Sequence, residues 1–227
     1  MNVCPLLASL PLFQGLPETE VQALARDGAL RRFAPGAVVA AENATARAFH
    51  LVVQGRVKLS KTSSEGREQT LYVFGPGETF CLCSAFFGEP FPADASALGQ
   101  AEVFILPGER LEDLGRRHPQ LLFNLLRILS GRLTDSMLLV EALSLREIPE
   151  RLAAFLLHMP RGGDNGWMDL GMTHRELAKI IGATPEALSR AFRRLSDAGL
   201  TEVRGRKVRL ADPKGLARLA QSETPVA

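Results

Sequence analysis

Residues 172–195 read MTHRELAKIIGATPEALSRAFRRL, and the punctuation of this stretch predicts two short helices meeting at a tight turn. Thr173-His174-Arg175-Glu176 has the form of a capping box: the threonine hydroxyl accepts from the backbone N–H three residues on, and the glutamate reaches back. Leu177, Ile180 and Ile181 follow at helical spacing. Gly182 then supplies the left-handed backbone with which a helix commonly ends. Thr184-Pro185 restarts the chain as an N-cap followed by proline at the first helical position. In the second helix Leu188, Ala191, Phe192 and Leu195 make one apolar stripe, leaving Glu186, Ser189, Arg190, Arg193 and Arg194 on the outside.

Two helices in this relation are a helix-turn-helix, whose second helix enters the DNA major groove. Glu186 suits a cytosine amino group, and Arg190 the O6 and N7 atoms of guanine. Downstream, Leu200-Thr201-Glu202-Val203 and Lys207-Val208-Arg209-Leu210 flank Arg204-Gly205-Arg206, a hairpin wing with a cationic tip. Residues 173–210 hold nine Lys or Arg against four acids, although the whole chain is only +2. Nucleic-acid affinity must therefore come from local clustering. Thr173, Thr184, Glu186, Ser189, Arg190, Arg193, Arg194, Arg204, Arg206 and Lys207 are the candidate contacts with double-stranded DNA. The alternative is a helical hairpin with a solvated charged side. Around this core, Arg151 to Leu157 reads as a helix, Pro160 to Gly166 as a loop, Trp167 to Leu170 as a short strand, and Lys214 to Leu219 as a last helix.

Upstream, Pro119 to Ser144 changes to an unbroken helical pattern. Leu122, Leu126, Leu129, Leu133, Ser136, Val140 and Leu143 recur at 4-3 spacing, the seam of a coiled coil, and predict a homodimer. Leu125, Ile128 and Met137 widen the apolar surface toward the helix's own domain. A helix that only covers that domain is the competing expectation.

From Arg31 to Leu106, short apolar runs are broken by Pro35-Gly36, Gln54-Gly55, Glu65-Gly66 and Pro76-Gly77. Phe49, Leu51 and Val53 alternate, as do Val57, Leu59 and Lys61, and later Leu71 and Val73. This predicts antiparallel strands with one buried face, assembled into a sandwich or roll. The fold class is thus α+β. Residues 1–117 make an N-terminal antiparallel β-roll, 118–146 a long dimerisation helix, and 147–227 a winged helix-turn-helix.

Composition bounds what else the chain can be. With 46% hydrophobic and 23% charged residues among 227, it is an ordinary globular protein. Three cysteines do not make a disulfide framework, no apolar run approaches a membrane span, and the N-terminus lacks a basic leader region. A cytoplasmic protein without membrane association is expected. No Ser-His-Asp, metal-hydrolase or phosphate-loop spacing occurs, and Gly75-Pro76-Gly77 reads as a turn rather than a cradle, so an enzyme is not expected. A third class remains: a ligand- or redox-gated module acting by protein contact.

The order of β-roll, long helix and winged helix-turn-helix resembles the CRP/FNR family of transcription regulators over nearly the whole chain. The similar stretches are Phe49 to Val57, Gly75 to Phe80, Met172 to Leu195 and Gly199-Leu200. The resemblance implies a homodimer reading a near-palindrome, with RNA polymerase as a further partner of an activator. Glu186, Ser189 and Arg190 fall on the residues with which the fumarate-nitrate branch reads TTGA-type half-sites. Pro185 departs from the family pattern and leaves the outer base open.

For the sensor half, the resemblance implies an effector bound in the roll. Cyclic-AMP receptors hold the ribose with a Glu after a Gly and the phosphate with an Arg-Ser pair. Here Leu82 follows Cys81 at the first place, Phe91-Pro92-Ala93 lies near the second, and no Arg occurs between Arg67 and Arg110. An unpaired buried phosphate is costly, so cyclic AMP is not expected. A four-iron cluster needs four thiolates, and only Cys4, Cys81 and Cys83 exist. The Cys81 stretch is similar to the carbon-monoxide-sensing branch, where the first Cys ligates haem iron, and the DNA half is similar to nitric-oxide-responsive regulators. Read as a strand, 81–83 puts both thiols on one side. Simple packing, haem, and a thiol switch or metal shared with Cys4 all remain open for Cys81 and Cys83. His50 and His118 are the histidines to test as haem ligands.

Overall fold

The computed structural model describes residues 3–45, 47–159 and 166–221; the expected loop at Pro160 to Gly166 lies, apart from Gly166, outside them. Two compact units divide between Thr134 and Asp135, inside one 26-residue helix, α5 (Gln120–Leu145).

The first unit opens with α1 (Cys4–Ser9), a 3-10 turn (Pro11–Phe13) and α2 (Glu18–Asp27). Eight strands follow: β1 (Ala29–Phe33), β2 (Val38–Ala40), β3 (Ala48–Gln54), β4 (Val57–Thr62), β5 (Glu68–Phe74), β6 (Thr79–Phe80), β7 (Asp94–Ala97) and β8 (Ala101–Pro107). They form two four-stranded sheets, ordered β1-β8-β3-β6 and β2-β7-β4-β5, antiparallel at every pairing. Helix α3 (Leu82–Phe87) interrupts the strands, and α4 (Gly108–Arg117) leads to α5.

Two cores share this unit. Val52, Val57, Phe74, Phe80, Ala95 and Val103 fill the space between the sheets. Phe49, Leu51, Val53, Phe104 and Leu106 pack against helical residues such as Leu7, Leu82, Leu111 and Leu121. Strand β3 is therefore buried on both faces, with His50 and Val52 toward the second sheet. The expectation of one buried face fails here because helices cover the sheet's other side.

The β5 expectation also fails. Leu71 is exposed and Val73 half-buried, while Thr70 and Phe74 point inward. A bulge between Leu59 and Ser60 pairs them with Tyr72 and Thr70, leaving Leu71 as the extra residue. Thr70, Tyr72 and Phe74 keep plain alternation and give β5 its buried face, so Leu71 and Val73 take the other; the bulge shifts the parity of β4 instead, which is why Ser60 is buried and Lys61 exposed.

The start of α5 belongs to this unit. Leu121, Asn124 and Leu125 are buried, and the Asn124 amide donates to the carbonyls of Leu12 (3.0 Å) and Gln14 (2.9 Å). The seam expected from the sequence divides accordingly. Leu122, Leu126, Leu133 and Val140 are exposed, Leu143 is half-buried, and Leu129 leans on the first unit's core. Phe123 and Met137, outside that seam, are 65% and 66% exposed. The open apolar stripe is thus Phe123, Leu126, Leu133, Met137 and Val140.

The second unit holds α6 (Ile148–His158), β9 (Trp167–Asp169), α7 (His174–Ile181), α8 (Pro185–Asp197), β10 (Thr201–Arg204), β11 (Lys207–Leu210) and α9 (Pro213–Ala220). Its sheet runs β10-β11-β9. Leu152, Leu156, Leu177, Leu188, Phe192, Leu195, Val208 and Leu216 meet in its core. Glu147 caps α6 in a reciprocal box with Glu150.

Candidate nucleic-acid interface

Both threonine caps and the glycine turn expected in residues 172–195 are present. The Thr173 hydroxyl accepts from the Glu176 N–H at 3.2 Å, and Thr184 does the same for Ala187 at 3.2 Å. Gly182 ends α7 at φ 65°, ψ 48°, a conformation that costs an L side chain roughly 1 kcal/mol or more. Arg151 of α6 reaches the Gly182 carbonyl at 3.4 Å, bracing the turn from behind. Ring stacking of His174 on Phe192 (centroids 5.1 Å apart) ties α7 to α8.

The buried stripe Leu188, Ala191, Phe192 and Leu195 turns the other face of α8 outward. Thr184, Glu186, Ser189, Arg190, Arg193 and Arg194 are all exposed. Glu186, Ser189, Arg190 and Arg193 recur at i, i+3, i+4 and i+7, so they share one strip of helix surface. The Glu186 carboxyl is held below the usual carboxylate range, first by its own backbone N–H and then by the Thr184 hydroxyl, with Arg190 adding to both. It is an ionised acceptor beside a cationic donor. Arg194 stands apart, paired at 3.2 Å with Glu147 at the start of α6.

The wing places Arg204 opposite Lys207 across a two-residue tip, Gly205-Arg206, and all three cations are exposed. Behind it, Trp167 on β9 lies under Arg204 (4.8 Å from guanidinium carbon to ring centroid) and Arg209 (5.6 Å). Sequence patterning does not reveal this contact, because the pairing of β9 with β11 joins residues about forty positions apart. Thr173 is exposed at the start of α7.

The sensor residues are dispersed. Strand β6 ends at Phe80, and Cys81 turns the chain into α3 from left-handed backbone (φ 56°, ψ 40°). The expectation that Cys81 and Cys83 share one side of a strand is therefore wrong: Cys81 is half-buried and Cys83 exposed on a helix. Burial, with a smaller contribution from Cys83, pushes the Cys81 thiol up to about 12. Cys4 begins α1 in a crevice lined by Val3, Gln22, Arg26 and Leu30. Among the described residues no three His, Cys, Asp or Glu side chains are placed to hold a metal ion, so a metal shared by the three cysteines is not supported.

His50 is buried against Phe80 (4.9 Å, stacked) and Phe91 (5.5 Å, edge-on). Burial pushes it down to about 4, the Ala48 carbonyl opposing, and its Nδ1 has no hydrogen-bond partner. His118 faces outward from the end of α4, 3.2 Å from Glu20, which also binds Arg117. These groups do not fit a haem bound through Cys81. A metal-ligating cysteine is a thiolate, and burial opposes that form at Cys81. His50 has aromatic rings against it, and His118 is engaged with α2. Leu82, where a ribose-binding glutamate would stand, is buried in the apolar core.

A β-roll with a winged helix-turn-helix whose reading strip lies open defines a DNA-binding regulator with a ligand-binding domain. Residues 30–118 match the cyclic nucleotide-binding domain, and residues 150–219 the Crp-like helix-turn-helix domain. The chain is similar to the cyclic AMP receptor protein of Thermus thermophilus (34% identity over 194 residues, 85% of this chain and 88% of the relative). It is also similar to the transcriptional activator protein FnrA of Stutzerimonas stutzeri (33% over 174 residues, 74% and 71%). Among solved structures, FixK2 from Bradyrhizobium japonicum aligns with a TM-score of 0.77 at 26% identity, covering 86% of this chain and 98% of that one. The chain belongs to the CRP/FNR family of transcription regulators, and is not an enzyme. Regulators of this family bind DNA as dimers and usually contact RNA polymerase. No helix among the described residues is long and apolar enough to cross a membrane.

Proposed function

We propose that the protein is a homodimeric regulator whose two α8 helices read the half-sites of a near-palindromic, TTGA-type operator. The single observation behind this is the exposed strip Glu186-Ser189-Arg190-Arg193, presented by a helix whose other face is locked into the core. Arg190 forks onto guanine and the ionised Glu186 accepts from a cytosine amino group. Thr173, Thr184, Arg193 and the wing cations Arg204, Arg206 and Lys207 hold the phosphates. Arg194 joins them only by leaving Glu147. The stripe Phe123, Leu126, Leu133, Met137 and Val140 joins α5 to its twin, flanked by Leu122 and Leu143.

The roll gates this activity for an uncharged effector. Every buried polar side chain described in the first unit is neutral at pH 7: His50, Ser60, Thr70, Thr79, Ser84, Ser96 and Asn124. A charged ligand between the sheets would face its desolvation cost with charged groups only at the border of that core, where Arg132 lies over Tyr72 and Phe74 beside Glu78. One relative is a cyclic AMP receptor protein, but Leu82 and Phe91 offer neither the carboxylate nor the guanidinium that a cyclic nucleotide requires. A redox switch at Cys81 is disfavoured for the same reason as a haem ligand, because the reactive form is the thiolate. The effector works by binding one arrangement of the dimer more tightly than the other.

Titration of the full-length protein against dyad-symmetric and scrambled duplexes over a range of salt tests the proposal. Tight binding to the dyad, falling steeply and linearly with log salt, is expected. A flat salt response without sequence preference overturns it and leaves a module acting by protein contact.

A further inference from the structure

Trp167 is the chain's one tryptophan, and strand pairing decides what it faces. It stands opposite Arg209 of β11, which stands opposite Glu202 of β10. Side chains alternate across a sheet, so Trp167, Glu202, Arg204, Lys207 and Arg209 share one face. The other face carries Met168, Thr201 and Val208, all buried. Two guanidinium groups thus lie over one indole, and they differ in a way that matters. Arg209 is ion-paired with Glu202. Arg204 has no carboxylate within ion-pairing distance among the described residues, and its guanidinium carbon is 4.8 Å from the indole centroid. The aromatic face restrains this side chain without neutralising it.

We propose that Trp167 is a positioning residue that holds Arg204 ready for the DNA backbone just outside each half-site. An exposed arginine otherwise loses considerable side-chain freedom when it grips a phosphate. With the indole beneath it, much of that freedom is already gone in the free protein, while the full positive charge stays available. Glu202 neutralises Arg209 on the same face, so of the two guanidinium groups over the indole only that of Arg204 stays uncompensated, with Lys207 opposite it. The inference rests on the second unit binding duplex DNA.

The test uses the full-length protein with two dyad duplexes, one ending at the half-sites and one extended by a helical turn on either side. Wild type should bind the extended duplex more tightly and with a steeper salt slope, and its tryptophan emission should change only on that duplex. Trp167→Leu should weaken extended-duplex binding by about two- to tenfold, Trp167→Phe should retain most of the affinity, and Arg204→Gln should lower the salt slope by about two for a dimer. In the Arg204→Gln background, Trp167→Leu should add nothing. Equal losses from Trp167→Leu in both backgrounds, or an unchanged slope for Arg204→Gln, overturn the inference. Arg204→Gln alters an exposed side chain and keeps the test decisive if Trp167→Leu does not fold. Failure of the wild type to prefer either dyad would instead overturn duplex recognition itself.

Discussion

Arg190 and His50 show how differently position treats two basic side chains. Arg190 sits on an exposed helix face with an ionised glutamate one turn earlier, and its reach is outward. Arg190→Ala should cost roughly 1–3 kcal/mol of operator binding and relax selectivity at one base per half-site; unchanged selectivity in a base-substitution panel counts against the assignment. His50 is stored neutral. Its folded value of about 4 lies below the ordinary value near 6.5, so the unfolded chain takes up a proton that the folded one refuses. Its contribution is therefore fully present above about pH 6.5 and declines as pH falls toward 4, by roughly 3 kcal/mol in all. Urea unfolding of wild type and His50→Leu across this range should show wild type losing stability relative to the variant as pH falls; parallel curves would contradict a neutral buried imidazole. Thr173 and Thr184 were legible from spacing alone, because a cap depends on residues three apart.

At the scale of elements, α5 serves two surfaces along its length. Its first turns are nailed to the roll unit through Leu121, Leu125 and the two bonds of Asn124, whereas Leu126, Leu133 and Val140 stay open. Leu133→Glu should drive the protein toward monomer in sedimentation and abolish dyad binding while leaving thermal unfolding of the roll nearly unchanged. Leu129→Ala should do the reverse, destabilising the roll by about 1–2 kcal/mol, less than the 2–5 of a fully buried leucine, with little effect on association. The sequence seam included Leu129 because heptad spacing cannot say which side of a two-faced helix meets its own domain. For the same reason Met137, expected toward the helix's own domain, is instead 66% exposed within the open stripe. The β5 strand makes the complementary point: Leu71 and Val73 alternate, but so do Thr70, Tyr72 and Phe74, and the pairing with β4 puts the second set on the buried face.

For the whole molecule, the family architecture is joined to a roll whose fully buried polar side chains are neutral. By the family resemblance, Leu82 stands where a cyclic nucleotide's ribose would be held and Phe91 lies near the place of its phosphate, while burial at Cys81, on left-handed backbone, opposes the thiolate. Reconstitution with haem should give no Soret band that shifts with nitric oxide or carbon monoxide, and Cys81→Ser should leave operator affinity unchanged. A gas-sensitive band lost in that variant would restore the haem reading. The division into units inside α5, rather than at its ends, makes the helix common property of both.

From sequence alone came everything governed by short range: the caps and glycine of the helix-turn-helix, its buried stripe, the cationic wing, the long helix and the turn-punctuated roll. Those features are set by residues a few positions apart, where backbone geometry and side-chain period leave one reading. Tertiary structure alone decided that β3 is buried on both faces, which stripe of α5 is open, and that Trp167 lies beneath Arg204. Each of these depends on strand register or on which element covers which surface, and such contacts join positions too distant in the chain for any local period to record.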